Sequence, residues 1–349
     1  MNKKPMNKKH AIKLAILSSA LVFGTAHAER TLYLAGYGGS TETLLKEKVL
    51  PKWEKANDAK VVYIPGNSTT TLAKLQAQRA KQEIDVAFID DGPMEQALAL
   101  GFCDKIEEKG PMLDVYDNAK FGDGRAVGFG FIATGLTYNM EMFKKNGWSA
   151  PTSWRDLEDS KYKGKVVVPP ITNGYGLLAL VMQAKLNGGG ETNIDPGFEA
   201  MIERIGPNVL TYEPSSGKLS EMFQSGDVAL AVWGSSRAKA LAGTGFPAGF
   251  VYPKEGAVAL MAATCPVVDS DVPDLAQSFV RYLVSAEVQA LLAEATGFGP
   301  VNSKTKLSPE LAAAVPFGPE KVGKMVSVDY SVINKQREAW TKRWNRNVE

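Results

Sequence analysis

Residues able to carry out acid–base or nucleophilic chemistry are scarce in this sequence. It has two histidines, His10 and His27, and two cysteines, Cys103 and Cys265. Both histidines lie in the first 28 residues, and without them neither a Ser-His-Asp triad nor a Cys-His pair can form. Two cysteines without an imidazole are too few for a typical zinc site. The sequence therefore predicts no catalytic residue, no metal and no cofactor, and the acids show no spacing suited to a catalytic carboxylate pair.

The two cysteines have a second interpretation. In an oxidising compartment Cys103 and Cys265 could pair, although spacing alone does not establish a disulfide. Two separate buried thiols fit the sequence equally well.

The first 28 residues have the pattern of a leader that directs export. Five lysines precede an apolar run, Leu14–Phe23, and the small-x-small sequence Ala26-His27-Ala28 follows it. This order is typical of a secretory signal peptide, so we expect cleavage between Ala28 and Glu29 and a periplasmic protein of a Gram-negative bacterium. An uncleaved anchor is the alternative interpretation. No later stretch of the sequence is long and apolar enough to span a membrane.

Removal of this segment changes the charge balance. The whole sequence has 40 Lys and Arg against 38 Asp and Glu. Residues 29–349 keep 35 of the basic residues and all 38 acidic ones, which gives a net charge of −3. A slightly acidic chain gives no reason to expect nucleic acid as a partner. Its 321 residues are too many for one typical core and suit two domains.

Predicted strands and helices alternate in the first part of the chain. Strands are predicted over residues 31–36, 60–64 and 84–89. The helix between the first two carries Leu45, Val49 and Trp53 on one face, and Pro51 should kink it. The next helix is predicted over 70–82. This β-α-β-α-β order predicts a mostly parallel sheet with helices on its faces.

The middle of the chain repeats this pattern and predicts a second lobe. Strands over 165–168 and 228–233 flank a helix over 177–186. Near the end of the chain, Trp340 and Trp344 are four residues apart, which places them on one face of a helix that packs against a lobe.

Polar loops follow the predicted strands of the first lobe. They supply the candidate ligand-binding residues Tyr37, Ser40, Thr41, Asn67, Ser68, Asp90 and Asp91. Ligands bind beyond the carboxyl ends of parallel strands, where the N–H groups of helix N-termini can hold an anion or a polar group. The alternative is that the hydroxyls and amides are helix N-caps. Neighbouring residues of a strand face opposite ways, so only one of Asp90 and Asp91 should face the cleft, while the other would cap the helix near Pro93.

The strand ends of the second lobe supply further candidates, namely Asn173, Tyr175, Trp233, Ser235 and Tyr252. The three aromatic residues among them could stack on a flat or cationic solute. The alternative is that each aromatic residue belongs to the core. Arg237 could add a cation to the site.

Four short segments of the sequence carry a family resemblance. They are Pro151-Thr-Ser-Trp-Arg-Asp-Leu157, Gly226-Asp-Val-Ala-Leu230, Tyr252-Pro-Lys-Glu-Gly256 and Thr296-Gly-Phe-Gly-Pro300. In this order they resemble type II periplasmic solute-binding proteins of ABC importers. The nearest branch is that of the spermidine/putrescine-binding proteins, with their iron-binding relatives more distant.

The resemblance implies a two-lobed α/β fold in which each lobe is a mixed, mostly parallel sheet with flanking helices. It assigns lobe 1 to 29–135, lobe 2 to 136–258, and a return to lobe 1 with C-terminal helices to 259–349. Crossover strands near 135–139 and 258–265 would join the lobes and act as a hinge around a small solute. The implied partners of this expected monomer are an inner-membrane ABC permease and a separate ATPase, because the chain has no G-x-x-x-x-G-K-[ST] loop.

The residues expected to hold polyamines in those relatives are replaced here at two places. Thr172-Asn-Gly-Tyr175 stands where an acidic pair is expected, and Ala262 and Leu260 stand nearest a second acid and a tryptophan. The chain also has no Tyr-Tyr pair, which disfavours ferric iron. The remaining groups favour a small organic solute with an amine, an anionic group or both, and a zwitterion fits best. The alternatives are a phosphonate, phosphate ester or carboxylate, and a sensor role through a chemoreceptor.

Overall fold

The computed structural model describes residues 1–2, 30–38 and 40–349, and of Ser40 it describes only the place in a helix. The predicted cleavage site between Ala28 and Glu29, and all but the first two residues of the predicted signal peptide, lie outside the described residues. Within the described part of the chain, no helix is both long and apolar enough to cross a membrane.

Ten strands of the described residues form one sheet. In chain order they are β1 (Arg30–Tyr37), β2 (Ala59–Gly66), β3 (Val86–Asp90), β4 (Lys120–Phe121), β5 (Ala126–Asn139), β6 (Val166–Val167), β7 (Val209–Thr211), β8 (Leu230–Gly234), β9 (Ala248–Val251) and β10 (Val258–Pro266). The main path through the sheet is β2-β1-β3-β10-β5-β8-β6-β7, and β4 and β9 pair with β5.

The sheet is parallel towards both ends and antiparallel in the middle. Strand β1 pairs in parallel with β2 and β3, and β6 pairs in parallel with β7 and β8. Between these groups, the long strands β5 and β10 are antiparallel to each other and to β8 and β3. This arrangement confirms the predicted fold class, in which crossover strands join two α/β lobes. We keep the names first and second lobe for the parts around β1–β3 and β6–β8, while the exact lobe boundaries stay a prediction.

Fourteen α-helices occur in the described residues. They are α1 (Ser40–Leu44), α2 (Leu50–Asn57), α3 (Ser68–Ala77), α4 (Asp91–Ala99), α5 (Met140–Lys145), α6 (Gly174–Leu186), α7 (Asp195–Glu199), α8 (Ser216–Gln224), α9 (Ser235–Gly243), α10 (Pro273–Leu283), α11 (Ala286–Thr296), α12 (Pro309–Ala314), α13 (Pro319–Gly323) and α14 (Tyr330–Asn347). Short 3-10 helices add Gly110–Asp114, Asp117–Ala119, Trp154–Glu158, Ser160–Tyr162 and Gly206–Asn208, and π-helical turns add Leu45–Val49 and Ala200–Ile205.

The predicted apolar face of the first helix is confirmed, but the helix is not of one type. Leu45, Val49 and Trp53 are all buried in the core. The π-helical turn over Leu45–Val49 separates α1 from α2, and Pro51 lies in the first turn of α2. Proline has no N–H group to continue an α-helix, so a change of helix type accompanies it here.

The C-terminal helix α14 packs on the protein as predicted, with Trp340 and Trp344 buried. It contacts both lobes. Near its start, the Asn334 amide donates a hydrogen bond to the Gly92 carbonyl at the beginning of α4, at 3.0 Å. Near its end, Trp344 meets the Tyr212 ring edge-on, with ring centroids 5.5 Å apart.

A disulfide joins Cys103 to Cys265, and their Cα atoms lie 5.6 Å apart. Cys103 follows α4 in the first lobe, and Cys265 lies near the end of β10. Of the two interpretations that the sequence left open, the structure therefore has the cross-link rather than two separate thiols.

Candidate functional site

A cleft of about 670 Å³ lies beside the crossover strands, where β1, β2 and β3 end and where α3, α6, α8 and α9 begin. Of the predicted ligand-binding residues, those that line it are Tyr37, Thr41, Asn67, Ser68, Asp90, Asn173 and Tyr175. Arg237 lines it as well. The structure therefore brings together seven of the twelve predicted residues, from both lobes, at the carboxyl ends of the strands.

A hydrogen-bonded group around Asp90 forms the side of the cleft that belongs to the first lobe. The Tyr37 hydroxyl donates to Asp90 Oδ1 at 2.7 Å, and the Ser68 hydroxyl donates to Asp90 Oδ2 at 2.8 Å. The Asp90 backbone N–H donates in turn to Ser68 Oγ at 3.0 Å. Because each carboxylate oxygen can accept a second hydrogen bond, Asp90 remains able to accept one from a ligand.

The electrostatics of this hydrogen-bonded group favour a ligand that donates a hydrogen bond to Asp90. Burial raises the pKa of Asp90, while hydrogen bonds from Tyr37 and Ser68 and the charge of Arg237 oppose that rise. Burial and the neighbouring Asp90 carboxylate raise the pKa of Tyr37 well above its usual value, so the phenol keeps its proton and acts as a donor. A cationic or hydroxyl group of a ligand would offset the cost of burying the carboxylate.

Asp91 faces away from the cleft, as expected for the neighbour of Asp90. Its Oδ1 accepts a hydrogen bond from the Gly92 N–H at 3.0 Å, and its Oδ2 accepts one from the Met261 N–H at 3.1 Å. Burial, and then repulsion by Asp90, raise the pKa of Asp91 to about 7, against the lowering effect of hydrogen bonds from Tyr330 and the two N–H groups. Asp91 therefore joins the start of α4 to β10 and does not line the cleft.

We expect Asp91 to lower stability as the pH rises from about 4 to about 7. In this window the folded protein holds the Asp91 proton, whereas the unfolded chain has lost it, because the folded pKa is the higher one. The loss in the free energy of unfolding should be on the order of 4 kcal/mol, and it should level off outside this pH window. Urea unfolding of the wild type and of Asp91→Asn across this range measures it. The variant should lack this component, and an equal pH dependence in both proteins would contradict the assignment.

Side chains cap the N-termini of α3 and α6 at the cleft. Asn67 Oδ1 accepts a hydrogen bond from the Thr70 N–H at 2.9 Å, and the Thr70 hydroxyl accepts one from the Asn67 N–H at 2.9 Å. Asn173 Oδ1 accepts a hydrogen bond from the Tyr175 N–H at 2.9 Å. The N-cap interpretation therefore holds for Asn67 and Asn173, and these two helices have fewer free N–H groups to offer a ligand.

The N-terminus of α9 differs from these two. Gly234 occupies the N-cap position, where it has no side chain to satisfy the first N–H groups of the helix. Tyr175 lies directly against this glycine, since any side chain at position 234 would collide with the Tyr175 ring and hydroxyl. The Tyr175 hydroxyl also interacts with Ser236 and Arg237 in the first turn of α9. This end of the cleft therefore combines a helix N-terminus, two hydroxyls and a guanidinium.

Trp233 is a correction to the sequence-based prediction, because the structure places it in the core. Its side chain is 1% exposed and packs against Phe223, with ring centroids 6.0 Å apart. Its Nε1 donates a hydrogen bond to Ser216 Oγ at 3.3 Å. Successive residues of a strand face opposite sides of the sheet. Trp233 therefore faces the side opposite to that of Gly234, the residue that leads into α9. It supports Ser216, which lines the cleft, and does not form an aromatic wall.

Three other predicted residues also lie away from the lining of the cleft. Ser235 is buried, and its hydroxyl accepts a hydrogen bond from the Ala133 N–H at 3.2 Å. Tyr252 packs edge-on against Phe250, and the Lys321 ammonium lies over its ring. Asp91 has been placed above. Ser40 begins α1, and its side chain is not among the described parts of the structure.

Other lining residues were missed by sequence reasoning, among them Ile132, Ser216, Ser236 and Phe298, whereas Leu260 and Ala262 line the cleft at positions that the family resemblance had indicated. Ser216 and Ser236 each lie in the first turn of a helix, and Ser236 is next to Ser235, which the sequence analysis did single out. Ile132 and Phe298 are apolar, and nothing in their local sequence distinguishes a residue on a cleft floor from one in the core.

Charge in the cleft is balanced between the two lobes. Asp90 and Arg237 are the only formally charged residues among the described residues that line it. They lie on opposite lobes, and the guanidinium acts on the carboxylate from across the cleft. The arrangement can hold an anionic group at one end and a donor at the other.

The fold and the cleft are those of a binding protein, and comparison with known proteins identifies its class. The chain belongs to the family described as bacterial extracellular solute-binding protein, which matches residues 48–318. Proteins of this kind are the solute-binding components of ABC transporters and are not enzymes. The resemblance inferred from the sequence motifs is confirmed at this level.

Individual relatives agree with this membership. The chain is 25% identical to the spermidine/putrescine-binding periplasmic protein of Escherichia coli over 324 residues, which covers 86% of each chain. It is similar to the crystal structure of an ABC transporter protein from Clostridium perfringens, with a TM-score of 0.78, 25% identity, and coverage of 91% of this chain and 100% of that one. A solute-binding protein structure from Bordetella parapertussis has a TM-score of 0.77 at 22% identity, and covers 91% of this chain and 99% of the other.

Proposed function

We propose that this protein captures a small organic zwitterion or anion in the periplasm and delivers it to an ABC permease in the inner membrane. The oxyanion of the solute is held at the start of α9, and its other polar end lies at Asp90. Closure of the two lobes on β5 and β10 encloses the solute.

The N-terminus of α9 is the observation that carries this proposal. Asn67 and Asn173 already satisfy donors of α3 and α6, whereas Gly234 leaves those of α9 without a side-chain cap. Arg237 adds a guanidinium to the same turn, and Arg is well suited to carboxylate and phosphate groups. The positive end of a helix and a guanidinium favour the same ligand chemistry, which is an oxyanion.

Asp90 supports a donor at the opposite end of the solute. Its carboxylate is fixed by Tyr37 and Ser68 and keeps lone pairs for a ligand. An ammonium group there would pair with the one carboxylate of the cleft lining, so a zwitterion uses both charged ends.

A polyamine is the second candidate, because the Escherichia coli relative is named for spermidine and putrescine. A polyamine carries several positive charges, whereas the cleft lining offers one carboxylate and one guanidinium. Like charges brought together in a site of low dielectric cost several kcal/mol. The one carboxylate of the cleft lining therefore supports about one strong contact with an ammonium group. The cleft therefore favours the zwitterion over the polyamine.

Calorimetric titration of protein that has been unfolded and refolded, so that no co-purified solute remains, tests the proposal. The panel is O-phosphoethanolamine as a zwitterion, glycerol 3-phosphate and succinate as anions, and spermidine as a polycation. We expect the zwitterion to bind more tightly than the anions, and the anions more tightly than spermidine. Tight binding of spermidine, with no heat from the other three solutes, would overturn it.

A further inference from the structure

The floor of the cleft is apolar between its two charged ends. Ile132 of β5, Leu260 and Ala262 of β10, and Phe298 line the cleft, and we call these four residues the apolar floor. Ile132 and Leu260 are directly opposite each other in the pairing of β5 with β10. Leu260 and Ala262 are two residues apart, so they share one face of their strand.

The floor offers a ligand carbon atoms rather than hydrogen-bond partners. The backbones of β5 and β10 form a hydrogen-bonded ladder beneath it, and the Met261 and Ala133 N–H groups donate to the side chains of Asp91 and Ser235. Phe298 lies over Gly130, where any side chain would collide with its ring, so the ring covers the backbone at that point. Most hydroxyls and amides of the cleft lie at the starts of α3, α6, α8 and α9, which form its walls, and Tyr37, Thr41 and Thr296 add hydroxyls from β1, α1 and the end of α11.

The position of the floor sets the distance between the two charged ends. Asp90 lies opposite Ala262 at the end of β3, and β8, which leads into α9, pairs with β5. From β3 through β10 and β5 to β8 is three strand spacings, or about 14 Å at the usual separation. Asp90 and Arg237 extend into the cleft from the two sides, and the solute must bridge the gap that remains across the floor.

We infer that the solute is a zwitterion whose amine and oxyanion are joined by a short, unsubstituted hydrocarbon chain that lies on the apolar floor. This inference rests on the proposed function, which supplies the two charged ends. A hydrocarbon chain loses no hydrogen bonds when it is buried on carbon atoms, whereas a chain of hydroxyl groups would leave several of them unpaired.

The experiment is a chain-length series measured by calorimetry, from 3-aminopropanoate through 5-aminopentanoate to 8-aminooctanoate. Glucosamine 6-phosphate serves as a zwitterion whose charged ends are joined by a hydroxylated ring. We expect affinity to rise by up to about fourfold for each added methylene. It should pass through an optimum and fall once the chain exceeds the gap, and glucosamine 6-phosphate should bind more weakly than the best chain.

Variants of the floor make the test specific. Leu260→Asn and the milder Ile132→Thr should each reduce the gain in affinity per methylene to less than about twofold. A cooperative urea-unfolding transition shows that each variant is folded. Leu113→Asn changes an exposed leucine outside the cleft lining and is the matched control.

The outcomes separate this inference from the proposed function. If affinity does not depend on chain length, or if glucosamine 6-phosphate binds more tightly than every chain, the inference is wrong and the proposed function stands. If no amino carboxylate and no phosphate compound binds at all, both are wrong.

Discussion

Replacement of Arg237 by glutamine should weaken the binding of an anionic or zwitterionic solute by about 30- to 100-fold, which corresponds to about 2–3 kcal/mol for a charge-assisted hydrogen bond in a closed site. The physical reason is the loss of the one cation among the described residues that line the cleft. The Arg237 side chain is exposed, so the free energy of unfolding of the ligand-free protein should change by less than about 0.5 kcal/mol. Calorimetric titration with O-phosphoethanolamine, together with urea unfolding, measures both effects.

Two further variants define the role of this guanidinium. Arg237→Lys keeps the charge but loses the planar fork of donors, so it should fall between the wild type and the glutamine variant. Arg125→Gln removes an exposed arginine outside the cleft lining and should have no effect on binding. If Arg237→Gln and Arg125→Gln bound the solute equally well, the oxyanion would not lie at α9.

Truncation of Trp233 to alanine should destabilise the ligand-free protein by about 3–5 kcal/mol, the usual cost of removing a large aromatic side chain from a core. The indole is 1% exposed, stacks near Phe223, and donates a hydrogen bond to Ser216. Urea unfolding measures the loss. Trp233→Phe keeps much of the packing and should cost less than half as much.

A matched control separates a core role from a general effect of losing an aromatic ring. Tyr33→Ala truncates an aromatic side chain that is 38% exposed, and it should cost about 1 kcal/mol or less. If Trp233→Ala left stability nearly unchanged and abolished binding instead, the original assignment of Trp233 to the cleft would be restored.

Most of the fold could be predicted from the periodicity of apolar residues, because the buried face of a helix or strand gives a regular pattern in the sequence. Leu45, Val49 and Trp53 are all buried, as their four-residue spacing predicts. Helix boundaries were less accurate where no apolar residue marks them. The helix predicted over 70–82 ends at Ala77, shortly after Leu75, because the polar residues that follow have no apolar face to bury.

The candidate site was predictable where it depends on strand ends and not where it depends on tertiary packing. The positions of Tyr37, Ser68 and Asp90 follow from three parallel strands that end together. The direction of the Trp233 side chain depends on which face of β8 is covered by the second lobe, and the local sequence gives no signal for that. The free N-terminus of α9 depends on Gly234 and on the ring of Tyr175 against it, which are brought together only by the fold.

The disulfide has a mechanical consequence for the motion of the lobes. It fixes Cys265 to the segment after α4, so the last part of β10 must move with the first lobe as one body. Any bending of this strand is thus confined to the residues before Cys265. The pairing of β10 with β5 shifts register between Ala262 and Ala263, and such irregularities are points where a strand bends. We therefore expect the pivot of this crossover strand to lie beside Asp90, so that the axis of rotation would pass close to the proposed position of the solute.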